Sequence, residues 1–322
     1  MTLAAILSGM HVSKQKLGDL RMVVFGAGSA GVGIADQVRD AIATERGVSK
    51  QEASKQIWCV RIRRHPLPCC HRQLTWVWLI RLIDKPGLLT NQVQELTDAQ
   101  TSYARAESWE GKQTDLLNVV KEVKPNVLIG TSTMPKAFTE EVIRAMAEHV
   151  ERPMILPLSN PTRLHEAVPA DVLDWTDGRA LVATGSPFKP VKGPWGPDGQ
   201  EVEIEIAECN NSVVFPGIGL GGVLCRARLI TDRMLIAAVE GVSELSPALQ
   251  SDAAPLLPGA DAVRKVSVRV ARKVIQAAIA EGVATEPGIP TDEQELEEWI
   301  AEQMWDPVYR PLKYVEAKSV GH

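Results

Sequence analysis

The chain has 322 residues, 45% of them hydrophobic and 23% charged, with a formal net charge of −5. That length allows one large core or two smaller ones. The slightly acidic balance leaves no electrostatic footprint for nucleic acid, and the longest apolar stretch, Ser212 to Cys225, is too short and too glycine-rich to span a membrane.

The opening Met-Thr-Leu-Ala-Ala-Ile-Leu-Ser-Gly-Met lacks the basic region and cleavage site of a signal peptide, and reads as the end of an amphipathic helix. Met22–Phe25 is the first expected strand. It runs directly into Gly26-Ala27-Gly28-Ser29-Ala30-Gly31, a G-x-G-x-x-G fingerprint that opens a helix from Ser29 to about Ala43. Each glycine has a mechanical reason: a tight turn, close backbone approach to a pyrophosphate, and helix-on-strand packing. Backbone N–H groups at the positive end of the helix suit phosphates, so Gly26, Ala27, Gly28, Ser29, Ala30 and Gly31 are candidate cofactor-binding positions.

Ile57–Val60 is the second expected strand. The segment 61–83 after it has no clean period, two prolines, a basic first half and an apolar second half. It reads as a surface insertion or as a short translated intron. His65, Cys69, Cys70 and His71 fall within it, but vicinal cysteines suit a tetrahedral ion poorly. Without this segment, Ile-Trp-Cys-Val joins Asp84-Lys85-Pro-Gly-Leu, which puts an acidic residue where a nucleotide-binding fold holds the ribose. The five cysteines (59, 69, 70, 209 and 225) show neither zinc spacing nor a disulfide framework. A reducing compartment is expected, by default the cytoplasm, with a mitochondrial location left open.

Further along, a helix is expected over Asp115–Val123, a strand over Asn126–Ile129 and a Thr139-capped helix over Thr139–Val150. Strands follow at Met154–Leu158 and Ala180–Ala183, then helices at Leu229–Val242, Val263–Ala280 and Asp292–Met304. The alternation predicts an α/β fold, a Rossmann-like doubly wound parallel sheet with a C-terminal helical extension. The expected divisions are 1–20 (helix end), 21–228 (dinucleotide-binding domain) and 229–322 (helical region).

Three loops begin where strands end: Gly130-Thr-Ser132-Thr133, Ser159-Asn160-Pro-Thr162 and Gly185-Ser-Pro-Phe188. Carboxyl ends of parallel strands form the ligand crevice, which brings in Ser132 and Asn160. Such residues also make ordinary turns. The pair Asn210-Asn211, ahead of a glycine-rich run, offers neutral donors and acceptors for a carboxylate, although a packing element would look much the same.

In the order Gly-Ala-Gly-Ser-Ala-Gly, Ile-Trp-Cys-Val, Asp84-Lys-Pro-Gly-Leu, Ser-Asn-Pro-Thr, Gly-Ser-Pro-Phe and Cys-Asn-Asn-Ser-Val-Val-Phe-Pro-Gly, the chain resembles the malic enzymes. The resemblance spans the whole length apart from 61–83. It implies oxidative decarboxylation of malate to pyruvate with NAD or NADP and a divalent Mg²⁺ or Mn²⁺. It also implies that Gly26–Ser29 hold the pyrophosphate, Asp84 (beside Lys85) the adenosine ribose, and Asn160, Asn210 and Asn211 the malate or nicotinamide end. Gln100 falls where the family's glutamine favours NAD and a lysine NADP, so NAD is favoured.

The family's catalytic tyrosine and lysine and its acidic metal ligands precede the fingerprint, where this chain has only residues 1–25. The expectation is therefore a chain without a catalytic pair or metal ligands of its own, which binds a dinucleotide and turns over little malate. The family forms dimers and tetramers, but its N-terminal part contributes to those contacts, so a homo-oligomer stays open as a partner and the oligomeric state is not carried over. No nucleic acid and no membrane are expected. Two alternatives stay open: a non-catalytic dinucleotide-binding or regulatory subunit, and an oxidoreductase like the amino-acid dehydrogenases.

Overall fold

The computed structural model describes residues 1–61, 87–93, 96–105, 109, 112–251, 253–309 and 311–314. The apolar tetrad Met22–Phe25 (β1) is buried at every position, the pattern of a strand covered on both faces. It pairs in parallel with Ile57–Arg61 (β2), whose outer edge takes the antiparallel Gly87–Leu88 (β3). On the other side of β1 lies Val127–Gly130 (β4), followed by Met154–Pro157 (β5) and Leu181–Thr184 (β6), all parallel. Val191–Gly193 (β7) and Val202–Ile204 (β8) form a separate antiparallel ribbon, and Ala207–Glu208 (β9) returns to the edge of the sheet beside β6. The order β3-β2-β1-β4-β5-β6-β9 reverses direction at β1. Open α/β sheets bind ligands outside the strand ends at such a reversal.

Alternation along the strands sends side chains into two cores. Thr2–Val12 (α1), Ser29–Arg46 (α2) and Lys50–Ser54 (α3) share one of them with Met22, Val24, Val127 and Ile129. The short Asp98–Thr101 (α4) lies against the fingerprint loop through Gln100. Leu116–Val123 (α5), Glu140–Ala147 (α6) and Pro169–Trp175 (α7) cover the opposite face, around Val23, Phe25, Leu128 and Ile155. The C-terminal helices Phe215–Leu224 (α8), Asp232–Ser243 (α9), Val263–Ala280 (α10) and Glu293–Glu302 (α11) complete the first core. Each fully buried Val, Leu, Ile or Phe contributes about 1.5–3 kcal/mol of apolar transfer, and both layers are built from such residues.

Some local expectations change. The opening helix is not amphipathic: Thr2, Leu3, Ala4, Ala5, Ile6, Ser8, Gly9 and Met10 are all buried, as in a helix enclosed by its neighbours. Asp115 caps α5 by accepting a hydrogen bond from the Asn118 N–H. Thr139 stands at the N-cap of α6, but its side chain makes no capping bond; Glu140 and Glu141 in the first turn complement the helix dipole instead. Among the C-terminal helices, Arg269 joins Glu244 and Glu297 at 3.1 and 2.7 Å, and the nearly buried Arg272 meets Glu297 at 2.9 Å, which ties α10 to α11 and to the end of α9. Among the described residues no helix is long and apolar enough to cross a membrane.

Candidate dinucleotide-binding site

The fingerprint occupies the reversal point. Gly26 has φ +117°, and a Cβ there would lie 2.5 Å from the carbonyl carbon of Thr131. At Gly31 a Cβ would stand 2.1 Å from the Gly26 oxygen. The loop after β4 and the start of α2 therefore each approach the Gly26 turn as closely as backbone allows. Gly28 differs: nothing lies within 4 Å of an added Cβ, and its neighbours Ser29 and Ala30 are exposed. It is the N-cap of α2, with no side-chain capping bond and no acidic residue in the first turn. The orphan N–H groups and positive dipole end thus face open space, the arrangement that accepts a phosphate.

The loop is braced from beneath. The Gly26 and Ala27 N–H groups donate to the Val60 carbonyl at 2.9 and 3.2 Å, and Thr131 Oγ1 donates to the Gly26 carbonyl at 2.8 Å. Gln100, buried, donates from Nε2 to the Ala27 carbonyl at 2.6 Å, while its Oε1 accepts from the Thr97 N–H at 3.2 Å. The glutamine that the resemblance links to cofactor choice is thus engaged in holding the fingerprint in shape.

All three expected loops leave the carboxyl ends of β4, β5 and β6. Ser132 is buried, and its hydroxyl donates to Glu166 Oε1 at 2.6 Å. Asn160 is exposed; its Oδ1 accepts from Ser186 Oγ, which joins the loops after β5 and β6. Asn210 accepts from the Ser212 N–H at 3.0 Å and donates to Glu208 at 3.0 Å, and Asn211 Oδ1 accepts from the Met1 amino group at 3.3 Å. Asn211 lines a cavity of about 730 Å³ together with Ser29, Ala30, Thr131 and Leu158. The structure therefore brings the fingerprint and Asn211 to one cavity. Asp84 and Lys85 lie outside the described residues, as do His65, Cys69, Cys70 and His71.

Four of the cavity's charged groups are paired among themselves. Arg39 meets Asp36 at 2.6 Å and Asp40 at 2.8 Å, and Lys50 meets Asp40 at 2.7 Å. Burial opposes ionisation of Asp40, yet hydrogen bonds from Lys50 and Arg39 hold its carboxyl below the usual range. Tyr103 donates to Asp36 at 2.8 Å, and burial together with that bond pushes its phenol far above the ordinary value. Cys209, also in the cavity wall, is raised by burial. Among the described residues no three or more His, Cys, Asp or Glu side chains converge as metal ligands. The donor set of the described residues does not fit the divalent ion that the resemblance implies.

Sequence reasoning missed two groups behind the strand ends. Glu166 is 0% exposed, and its carboxylate gathers the loops after β4 and β5. Beside it, His165 packs against Phe188 with ring centroids 5.2 Å apart, and neither ring nitrogen has a hydrogen-bond partner. Burial lowers the His165 pKa, opposed by the nearby Glu166 charge. Only the charge of Glu166 in an otherwise turn-forming loop hinted at either.

Residues 1–63 and 76–279 match the family described as malic enzyme, NAD binding domain. NAD-dependent malic enzyme 3 of Bacillus subtilis is 41% identical, over 98% of this chain and 51% of its own length. The mitochondrial NAD-dependent malic enzyme of Saccharomyces cerevisiae is 42% identical, over 100% of this chain and 46% of its own. The chain thus spans about half the length of the curated relatives it matches. Crystal structures of the malic enzymes of Entamoeba histolytica and Pyrococcus horikoshii superpose with TM-scores of 0.65 and 0.63. Each is 23% identical and covers 94% of this chain, with 51% and 57% of the respective solved chains matched; at that identity they speak for the fold.

Proposed function

The chain belongs to the malic enzyme family, and on that premise we propose that it binds NAD in the crevice between β1 and β4. The observation that carries this reading is Gly28: a close, uncapped helix N-terminus with open space over it, at the reversal of strand order. Gly26, Ala27, Gly28, Ser29, Ala30 and Gly31 would hold the pyrophosphate through backbone N–H groups. Ser132 shapes the adjoining wall, and Asn160 with Asn211 and Asn210 would meet the nicotinamide or a substrate carboxylate. Asp84, with Lys85, would hold the adenosine ribose. Bound NAD supplies a hydride acceptor. NAD is preferred to NADP on the strength of Gln100 and of relatives named as NAD-dependent.

The family reaction, oxidative decarboxylation of malate, further requires an acid, a base and a metal ion. Here the cavity's Asp36, Arg39, Asp40 and Lys50 neutralise one another, and Tyr103 is held protonated against Asp36. The described residues around the cavity therefore serve to bind and orient the dinucleotide, and by itself the chain is expected to turn over little malate. Free thiols at Cys59, Cys209 and Cys225 agree with a reducing compartment such as the cytoplasm.

Calorimetric titration of the chain with NAD⁺ and NADP⁺, alongside an NADH-absorbance assay with malate and Mn²⁺, tests both parts. Saturable binding of NAD⁺ tighter than NADP⁺, without NADH formation, is expected. Absence of dinucleotide binding refutes the first part, and steady NADH production refutes the second.

A further inference from the structure

We propose that Glu166 is the positioning residue of this crevice, a buried carboxylate that sets the gap between the loop touching the fingerprint and the loop carrying Asn160. The inference rests on the NAD-binding reading above. Glu166 Oε1 accepts from the Ser132 N–H at 2.8 Å, from Ser132 Oγ at 2.6 Å and from Ser159 Oγ at 2.6 Å. The polarity of both hydroxyls is set from the other side. Ser132 Oγ accepts from the Met134 N–H at 3.0 Å, and Ser159 Oγ accepts from the Thr133 N–H at 2.8 Å. Each serine therefore gives its one proton to the same oxygen, and that oxygen must be an acceptor without a proton of its own.

The loops joined in this way lead to opposite ends of the candidate site. Ser132 follows Thr131, whose hydroxyl is bonded to the Gly26 carbonyl; Ser159 precedes Asn160. Backbone bonds hold the carboxylate's own segment: Phe138 N–H donates to the Glu166 carbonyl at 2.9 Å and Lys136 N–H to the His165 carbonyl at 3.1 Å. A buried polar group is tolerated only when hydrogen-bonded. These donors meet that need, so the carboxylate keeps its place only while both loops keep theirs. A ligand touching the fingerprint alone would not sense the linkage. One that spans both loops would.

The test uses the full chain with ADP, which reaches the fingerprint, and NAD⁺, which reaches both loops. Glu166→Ala removes the acceptor of all three hydrogen bonds and should weaken NAD⁺ about tenfold or more, tenfold in affinity being about 1.4 kcal/mol. ADP affinity should change less than about twofold on the same scale. Ser159→Ala, which cuts the link from the other end, should show the same split and decides the matter if Glu166→Ala does not fold. Equal losses for both ligands, or no loss for either, overturn the proposal.

If the unmutated chain binds no NAD⁺, the function proposed above falls, and amide hydrogen exchange then judges this inference separately. Exchange at Thr133 and Met134 about tenfold faster in Glu166→Ala supports it, by the same free-energy arithmetic; unchanged exchange overturns it.

Discussion

Gly28→Val separates the fold of the fingerprint from its use. Gly28 has φ −83° and ψ −170°, extended backbone that any residue adopts, and an added Cβ meets nothing within 4 Å. Replacing glycine by valine at an N-cap costs about 0.5–1 kcal/mol, while removing glycine's freedom from the unfolded chain returns about 0.4–1 kcal/mol. The two nearly cancel, so Tm should move by no more than about 2–4 °C. Binding should respond very differently. The valine methyls would fill the space over the helix N-terminus and bar the pyrophosphate from about two charge-assisted N–H bonds, worth about 1.5–3 kcal/mol each. That predicts a rise of about a hundredfold or more in the Kd for NAD⁺. Calorimetric titration paired with a thermal melt reads both quantities. A folded Gly28→Val chain that binds NAD⁺ as tightly as the unmutated one would refute the reasoning. Gly26→Val is the contrasting case: with φ +117° and a Cβ at 2.5 Å from Thr131, it should lose the fold of the loop along with the affinity.

Three other outcomes are expected. Gln100→Ala leaves the buried Ala27 carbonyl without its 2.6 Å partner and should cost about 1–3 kcal/mol in chemical denaturation, with weaker NAD⁺ binding because the loop loses its brace; unchanged stability would contradict the bracing role. Burial pushes the Cys59 thiol up to about 12, so iodoacetamide labelling of the native chain at pH 8, mapped by peptide mass spectrometry, should spare Cys59 until the chain unfolds. Glu244 is the acid-sensitive tie of the C-terminal helices. Burial raises its pKa, but hydrogen bonds from Lys273 and Arg269 outweigh that and hold it below its ordinary 4.5. Its contribution is therefore present above that value and lost as pH falls through the lower folded one. Melting curves between pH 6 and 3 should show a steeper fall for the unmutated chain than for Glu244→Gln.

The centre of the fold was legible because its signals are local. Four apolar residues followed by G-x-G-x-x-G specify β1, the turn and α2 within one window, and the observed helix differs mainly in running on to Arg46. The strands β4, β5 and β6 were readable for the same reason, as short apolar runs ended by Gly, Ser and Pro. Elements that owe their existence to partners were not. The strands β3 and β9 are two residues each, and β7 and β8 pair in a ladder only with one another. The helix α7 opens with Pro169 at its first turn, a usable start signal that its brevity concealed. At α1 the error was one of period: apolar residues all round mean enclosure, not a surface stripe. The candidate site divides the same way. The glycines announce themselves, whereas Glu166 sits in Arg-Leu-His-Glu-Ala, which reads as ordinary solvated loop until the sheet brings Ser132 and Ser159 to it.

A crystal structure of this chain grown with NAD⁺ tests the central claim most directly. The account predicts the pyrophosphate against the backbone N–H groups of Gly28 to Gly31, with the nicotinamide directed past Thr131 towards Asn160 and Asn211. A dinucleotide bound elsewhere, for example in the trough between α2 and α9 beside Thr44 and Arg233, would contradict it, as would crystals that exclude NAD⁺ at saturating concentration.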